Sequence, residues 1–471
     1  MNYYKKTIGF LLALLMPLAV MAQSSVARQF DVRNSTNDTI VMHVYLPQAS
    51  VATGRAVLDC PGGGYSHLSM ENEGRDWVDY FCSKGIVFAI LEYRMPKGVA
   101  TIPASDAEWG IRTLRDSALV WNINPYDVGI MGFSAGGHVA STVSTRAEFD
   151  ARPNFSILFY PVITMGKKGQ HEGSCKSLLG EQRDDEEIQR LYSTDRQVRA
   201  HLTPPAIILL ANNDRGVPPV SNGIAYYTAM RNRGNECTLH VYPQGGHGFG
   251  MRQTFPYHDQ MLADLSSWLD HQKAPRPEAI RVACIGNSIT DGSGIDMADT
   301  EGYPAQLQRL LGDGYNVKNY GVGARCVLAK SDHPYTNELA WRDALYFCPD
   351  VVVVKLGTND SKDYNWKYKS EFAHDYQVMI DSLKALPSGP RIILAYPATA
   401  CKDSWTINDH VITNEIIPII DQLAKKNRLE TLDLHSVVND MSLMQDDGIH
   451  PNAKGVAAIA EGVRKKIMDN K

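Results

Sequence analysis

The chain has 471 residues, 44% hydrophobic and 21% charged, a composition that excludes disordered and fibrous classes. Its length is beyond a single ordinary core and predicts two or three domains, with room for two large α/β units. A net charge of -5 without any basic run or stripe excludes nucleic acid as an expected partner and leaves a neutral or small one.

The first segment carries Lys5 and Lys6, an apolar stretch over residues 8–20 and then Met21-Ala22-Gln23. This is the pattern of a signal peptide, residues 1–22, cut after Ala22, and it predicts a secreted or periplasmic protein. A retained anchor is the weaker reading, because the apolar run falls short of the ~20 residues that span a bilayer. No second run of that length follows, so no membrane contact is expected after signal removal. No cysteine follows the apolar run, so nothing marks a lipoprotein.

From residue 55 onward, short β-branched runs alternate with amphipathic stretches, the sign of βαβ units and a largely parallel sheet. Strands are expected at residues 55–59, 86–92, 128–132, 156–160, 206–211 and 238–242, and helices at 105–121, 221–231 and 258–271; residues 28–32 and 39–46 read as an antiparallel edge hairpin. The eight cysteines are scattered, with no CxxC and no metal-like spacing, so neither a disulfide framework nor a metal is expected. Cys60 and Cys284, at strand ends, read as small buried hydrophobes.

Within this first unit, Gly132-Phe-Ser134-Ala-Gly136 follows an apolar strand and precedes a helix-compatible run. That context is a nucleophile elbow, a strained strand-to-helix turn whose flanking glycines avoid crowding. Cys60-Pro-Gly-Gly-Gly64-Tyr65 follows an earlier strand and fits an oxyanion loop, since glycines let backbone N–H groups approach a developing negative charge. A serine needs a base, and the base needs a carboxylate to hold its tautomer. Asp214 and His247 both follow strands and so fall at the sheet edge where Ser134 emerges. His138, His201 and His240 lie within or before regular elements and read as structural, while Asp184, Asp185 and Asp195 belong to a charged, solvated excursion.

The phrases GGGYSHL, YRMP, MGFSAGGH, SLLG, TPPAIIL, NNDRGVPP and GGHGFG make residues 30–271 resemble the α/β-hydrolase family, and within it the acetyl esterase and acetyl xylan esterase group. The resemblance implies a Ser134, Asp214 and His247 triad, an oxyanion hole at Gly63, Gly64 and Ala135, and an insertion over the site at residues 166–200 that carries specificity. Pro61 departs from the motif, which usually has His there.

A stretch rich in proline and charge, Gln272-Lys-Ala-Pro-Arg-Pro-Glu278, reads as a linker, giving an esterase domain at residues 23–272, a linker at 273–279 and a second domain at 280–471. The alternation resumes with strands expected at residues 281–285, 317–320, 351–356, 391–396 and 431–434, and helices at 303–311, 371–386, 411–426 and 451–468. Four strand-end segments stand out: Gly286-Asn-Ser288-Ile-Thr-Asp-Gly292, Asn319-Tyr-Gly321-Val-Gly323, Lys355-Leu-Gly-Thr-Asn359-Asp360 and Asp447-Gly-Ile-His450-Pro451. Asn359 offers an amide donor suited to an oxyanion hole, and one short DxxH loop supplies both base and orienter.

In this order the segments resemble the SGNH (GDSL) hydrolase family over residues 280–469. The resemblance implies Ser288 as nucleophile, His450 as base, Asp447 as orienter, and Ser288, Gly321 and Asn359 as oxyanion donors. Asn287 stands where the family usually has Asp, and Gly323-Ala324 where Ser-Gly is common. The expected fold is therefore an α/β-hydrolase sheet with helices on both faces, followed by a flavodoxin-like three-layer α/β/α SGNH domain.

The two resemblances together imply a bifunctional carbohydrate O-acetylesterase that removes acetyl groups from xylan or related plant polysaccharide, with no metal or organic cofactor. Trp341, Tyr364, Trp366 and Trp405 are candidate sugar platforms, with core packing the competing role. Feruloyl ester cleavage by the first domain, sialate O-acetyl cleavage by the second, and one dead domain kept as a carbohydrate-binding module are the alternatives. The oligomeric state has no signature in the sequence.

Overall fold

The computed structural model describes residues 24–469, so the signal peptide expected at residues 1–22 lies outside the described residues. The first sheet has eight strands: β1 (Val26–Asn34), β2 (Asn37–Pro47), β3 (Ala56–Cys60), β4 (Val87–Glu92), β5 (Val128–Phe133), β6 (Ser156–Phe159), β7 (Ala206–Ala211) and β8 (Cys237–Tyr242). Their order is β1-β2-β4-β3-β5-β6-β7-β8. The edge hairpin β1 and β2 is antiparallel, β2 joins β4 antiparallel, and the strands from β4 to β8 run parallel. Strands β3, β5, β6 and β7 are buried along their whole length, as strands covered by helices on both faces must be.

The second sheet is wholly parallel, with β9 (Ile280–Gly286), β10 (Tyr315–Gly321), β11 (Val351–Lys355), β12 (Arg391–Ala395) and β13 (Glu430–Leu432) in the order β10-β9-β11-β12-β13. The chain leaves β9 to one side for β10 and crosses to the other for β11. Such a switch point opens a crevice beyond the carboxyl end of the central strand, and β9 ends there at Gly286, with Asn287 and then Ser288 next in the chain.

Helices start and stop where local chemistry dictates. The helix expected from residue 105 begins earlier, at Thr101–Asp116, because Pro103 is tolerated in a first turn. The helix expected at residues 411–426 is interrupted by a wide turn, Ile412–Ile416, before Ile417–Asn427. Pro418 has no N–H for the carbonyl four residues back, and the extra residue in the turn accommodates that loss. The strand expected to reach residue 434 stops at Leu432, since Asp433 caps the short helix Leu434–Val437 by accepting from the Ser436 amide at 3.0 Å. The insertion over the first site contains two helices not read from the sequence, Glu172–Leu179 and Glu186–Tyr192; Asp185 caps the latter.

Residues 272–279 run between two bodies that pack directly on each other. Arg152 and Asp343, both buried, form an ion pair at 2.7 Å. Phe149 meets Phe347 edge-on, and Leu202 joins the second domain's core. Cys60 and Cys284 are fully buried.

Candidate active sites

At the first site the elbow is fixed by sterics. Ser134 has φ +51°, a strained conformation for a residue with a side chain. A Cβ on Gly132 would lie 2.2 Å from the Gly136 carbonyl oxygen, and one on Gly136 would lie 1.9 Å from that of Cys60. Neither position admits another residue, and the serine is thereby lifted out of the sheet. His247 Nε2 lies 2.8 Å from Ser134 Oγ, and His247 Nδ1 lies 2.7 Å from Asp214 Oδ2. The other oxygen of Asp214 accepts the Gly216 and Val217 amides at 2.8 and 2.9 Å, and its side chain is 1% exposed. A buried carboxylate so held can orient the imidazole without swinging away.

The Gly63, Gly64 and Ala135 amides make no hydrogen bond to protein among the described residues and remain available as donors. Gly63 and Gly64 have φ +134° and +63°, and a Cβ on Gly63 would overlap the His67 carbonyl. The brace behind this loop has no local sequence signature. Buried Glu73 accepts the Gly62 amide on Oε2 at 3.0 Å and the Tyr160 hydroxyl on Oε1 at 2.8 Å. The Gly250 amide donates to that hydroxyl at 3.0 Å, tying the oxyanion loop to the loop that carries His247. Burial raises the Glu73 pKa against the pull of these bonds.

His171, in the insertion, also went unread. Its Nδ1 accepts the Ser174 amide at 3.1 Å, so in the neutral ring the proton is on Nε2. A Cβ on Gly64 would be 3.6 Å from its Cε1, which sets the ring against the oxyanion loop. Burial first, and then the charge on His247, lower its pKa. His138 is enclosed in the core between the Tyr65 hydroxyl and the Tyr192 carbonyl, each at 2.7 Å, and burial lowers its pKa to about 4.

At the second site Ser288 opens a single helical turn, Ser288–Asp291, capped by Asn287, whose Oδ1 accepts the Ile289 amide at 3.3 Å. His450 Nε2 lies 2.9 Å from Ser288 Oγ, and His450 Nδ1 lies 2.8 Å from Asp447 Oδ2. Asp447 Oδ1 takes the Ile449 and His450 amides at 2.7 and 2.8 Å. Partial burial works to raise the Asp447 pKa, but the bonds from His450 and Ile449 prevail and lower it. Asn359 is buried and gives one amide hydrogen to the Arg325 carbonyl at 3.2 Å; the other has no partner among the described residues.

Gly321 departs from the expected donor role. Its amide already donates to Asn319 Oδ1 at 2.8 Å, at the end of β10. Its glycine identity has a packing cause, because a Cβ there would lie 2.1 Å from the Asp291 amide nitrogen. The turn nearest Ser288 is instead Gly323-Ala324. A Cβ on Gly323 would be 3.9 Å from that of Ser288, and Ala324 adopts φ +66°. The Gly323 and Ala324 amides make no hydrogen bond to protein among the described residues. Arg325 fixes the turn by donating to the Gly323 carbonyl at 2.8 Å while pairing with Glu338.

Beneath this site Lys355 is fully buried, with Nζ 3.1 Å from Asn287 Oδ1 and 3.4 Å from Thr358 Oγ1. Among the described residues no carboxylate pairs with it, and burial lowers its pKa to about 7. Of the aromatic candidates, Trp341 and Trp366 are core residues. Tyr364 and Trp405 are exposed, and the Trp405 ring meets His450 edge-on at 5.5 Å.

Both halves match known families: an alpha/beta hydrolase fold model over residues 57–251 and the GDSL-like Lipase/Acylhydrolase family over residues 284–458. An acetylxylan esterase of Xylanibacter ruminicola is 53% identical over 477 residues, covering 97% of this chain and 99% of its own. Endo-1,4-beta-xylanase B of Butyrivibrio fibrisolvens is 32% identical over 207 residues, 41% of this chain and 32% of its own. Among solved structures, the acetyl ester-xyloside bifunctional hydrolase from Caldicellulosiruptor lactoaceticus aligns with a TM-score of 0.45 and 30% identity, over 49% of this chain and 88% of its own. The near full-length match decides the matter: the chain is a carboxylic-ester hydrolase and belongs to the family of the Xylanibacter ruminicola acetylxylan esterase, with an alpha/beta hydrolase domain followed by a GDSL-like domain.

Proposed function

We propose that the protein is a carbohydrate O-acetylesterase acting on acetylated xylan or a related plant polysaccharide, through two separate serine sites. The observation that carries this reading is the pair of constellations, each with an imidazole within 2.9 Å of a serine oxygen and its own carboxylate behind the ring. The substrate class rests on the name of the relative that is 53% identical to this chain.

In each site the histidine Nε2 takes the serine proton as Oγ attacks the acetyl carbonyl carbon. The tetrahedral oxyanion is held by the Gly63, Gly64 and Ala135 amides in the first site. In the second it is held by the Ser288 amide, the Asn359 side chain and an amide of the Gly323-Ala324 turn, which replaces Gly321 in that role. The imidazolium then protonates the departing sugar oxygen, leaving an acetyl-serine. Water, deprotonated by the same histidine, attacks that ester; acetate leaves and the serine recovers its proton. Trp405, exposed beside His450, supplies an apolar face for a sugar ring. Export by a signal peptide at residues 1–22 suits a polymeric substrate that stays outside the cell.

The test is acetate release from acetylated xylan by wild type, Ser134→Ala, Ser288→Ala and the double variant, with feruloyl and sialate O-acetyl esters as parallel substrates. Each single variant is expected to retain part of the acetate release, and the double variant almost none. Complete loss in one single variant refutes two independent sites. Preferential release of ferulate or of sialate-linked acetyl refutes the substrate class.

A further inference from the structure

His201 belongs to the first domain, yet both of its ring nitrogens make hydrogen bonds in the second. It lies in the turn of residues 199–203, which Asn235 fixes by donating to the Arg199 and Thr203 carbonyls at 3.0 and 2.8 Å. Its φ of +60° is a conformation that a residue with a side chain holds only where its surroundings enforce it. The ring is 3% exposed, with Nδ1 2.5 Å from Asp299 Oδ1 and Nε2 3.1 Å from Asp291 Oδ1. With a carboxylate on each nitrogen, the ring is an imidazolium that donates twice. Burial works to lower its pKa, but Asp291 and Asp299 more than reverse this and raise it to about 10.

Asp291 ends the turn that carries the nucleophile. Its amide donates to the Asn287 carbonyl at 2.9 Å, and its Oδ2 accepts the Ser293 hydroxyl at 2.9 Å. The Gly292 and Ser293 amides both donate to the Ser288 carbonyl at 2.9 Å. The Ser293 carbonyl accepts Gln445 Nε2 at 2.9 Å, and the Gln445 amide donates to the His450 carbonyl at 2.7 Å. One chain of contacts thus leads from His201 to the nucleophile turn and on to the base loop. Asn319, which holds the Gly321 amide, lies 3.4 Å from the same ring. Alongside, the Asp299 amide donates to the Gly234 carbonyl of the first domain at 3.2 Å.

We propose that His201 is a positioning residue of the second site, supplied across the domain interface, which holds the Ser288 turn and the Asp447 to His450 loop in register while the first domain is docked. The proposal rests on the reading that Ser288 is a working nucleophile. It would give the packed interface a use: the first domain lends the second site a brace across it.

The test uses the full chain. In a Ser134→Ala background, His201→Gln is expected to lower kcat for acetate release by about 10- to 100-fold with KM within about twofold, as for a misplaced catalytic group. In a Ser288→Ala background the same change should leave kcat and KM within about twofold. Hydrogen exchange gives a readout that needs no turnover: exchange over residues 287–293 and 445–450 should accelerate in His201→Gln, and exchange around Ser134 should not. Equal losses in both backgrounds, an undiminished second site, or unchanged exchange at residues 287–293 overturns the proposal. If Ser134→Ala by itself is inactive, the two-site reading fails, while the exchange result still decides the brace. Should His201→Gln not fold, Asp299→Asn removes one carboxylate contact, leaves the ring in place and is measured in the same way.

Discussion

The two sites place the same three side chains by opposite means. In the first, the backbone does the holding: Ser134 is strained, glycines flank it at contacts too close for any Cβ, and the proposed oxyanion donors Gly63, Gly64 and Ala135 are backbone amides without a protein partner among the described residues. In the second, side chains do it: Asn287 caps the nucleophile turn, Asn359 offers a donor, and Asp447 and His450 share one loop. The first should therefore be sensitive to substitutions that change shape, and the second to substitutions that change a functional group.

The largest contrast is expected behind the histidines. Replacing either histidine by Ala in the matching single-site background should cost about 10⁶-fold in kcat. The acids should differ. Asp214 is almost wholly buried and Asp447 is 22% exposed, so water can partly substitute only at the second. Asp214→Asn should lose about 10⁴-fold, the scale seen when a wrong tautomer is imposed, and Asp447→Asn about 10²- to 10³-fold. Initial rates of acetate release measure this, and equal losses would remove the distinction.

Next comes the oxyanion hole. Asn359→Ala should cost about 3 to 4 kcal/mol of transition-state stabilisation, or 10²- to 10³-fold in kcat. On the proposed reading the first site's donors are backbone amides, so no side-chain truncation among the described residues is expected to do the same there. An Asn359→Ala variant with wild-type turnover in the Ser134→Ala background would end the assignment.

In stability the order reverses. A Cβ on Gly136 meets the Cys60 carbonyl at 1.9 Å, so Gly136→Ala should cost about 2 to 4 kcal/mol in chemical unfolding. A Cβ on Gly323 meets nothing nearer than 3.7 Å, so Gly323→Ala should stay within about 0.5 kcal/mol. Comparable losses in the two variants would contradict the view that only the first turn is held by close approach.

The same difference governs what was legible in the sequence. The side chains that the structure brings together, Ser134 with Asp214 and His247 and Ser288 with Asp447 and His450, are legible because the elbow glycines, strand-end loops and short capped turns leave a local signature. Glu73, Tyr160 and His171 are not, since their partners lie far along the chain and nothing in LSMENEGRDW or in the insertion marks a buried brace. Gly321 and Gly323 are two residues apart, and only the register of β10 against β9 separates the amide spent on Asn319 from the turn beside Ser288. His201 reads as structural from its place before a strand, but its ring partners Asp291 and Asp299 belong to a domain that begins some way further on, out of reach of local pattern. The strands are legible nearly throughout, because a fully buried parallel strand such as β11 opens on four consecutive valines.

The smallest effect concerns Asn287, where the second turn departs most from its resemblance. Among the described residues the Lys355 ammonium meets Asn287 and Thr358, and its pKa falls from 10.5 to about 7 in the folded protein. Between those values the unfolded chain binds the extra proton, so this group makes stability rise with pH from about 7 to 10.5. His201 has the opposite slope. Its folded pKa of about 10 lies above the ordinary 6.5, so its contribution is complete below 6.5 and is lost as pH rises through 10. Asn287→Asp would set a carboxylate against the Lys355 ammonium, hold it charged and flatten the rise, leaving the loss from His201 to dominate on the alkaline side. Denaturant midpoints from pH 6 to 10 should therefore fall more steeply in Asn287→Asp than in wild type. An unchanged slope would mean that Lys355 is already charged at neutral pH, and that asparagine before the nucleophile serves only as the cap of its turn.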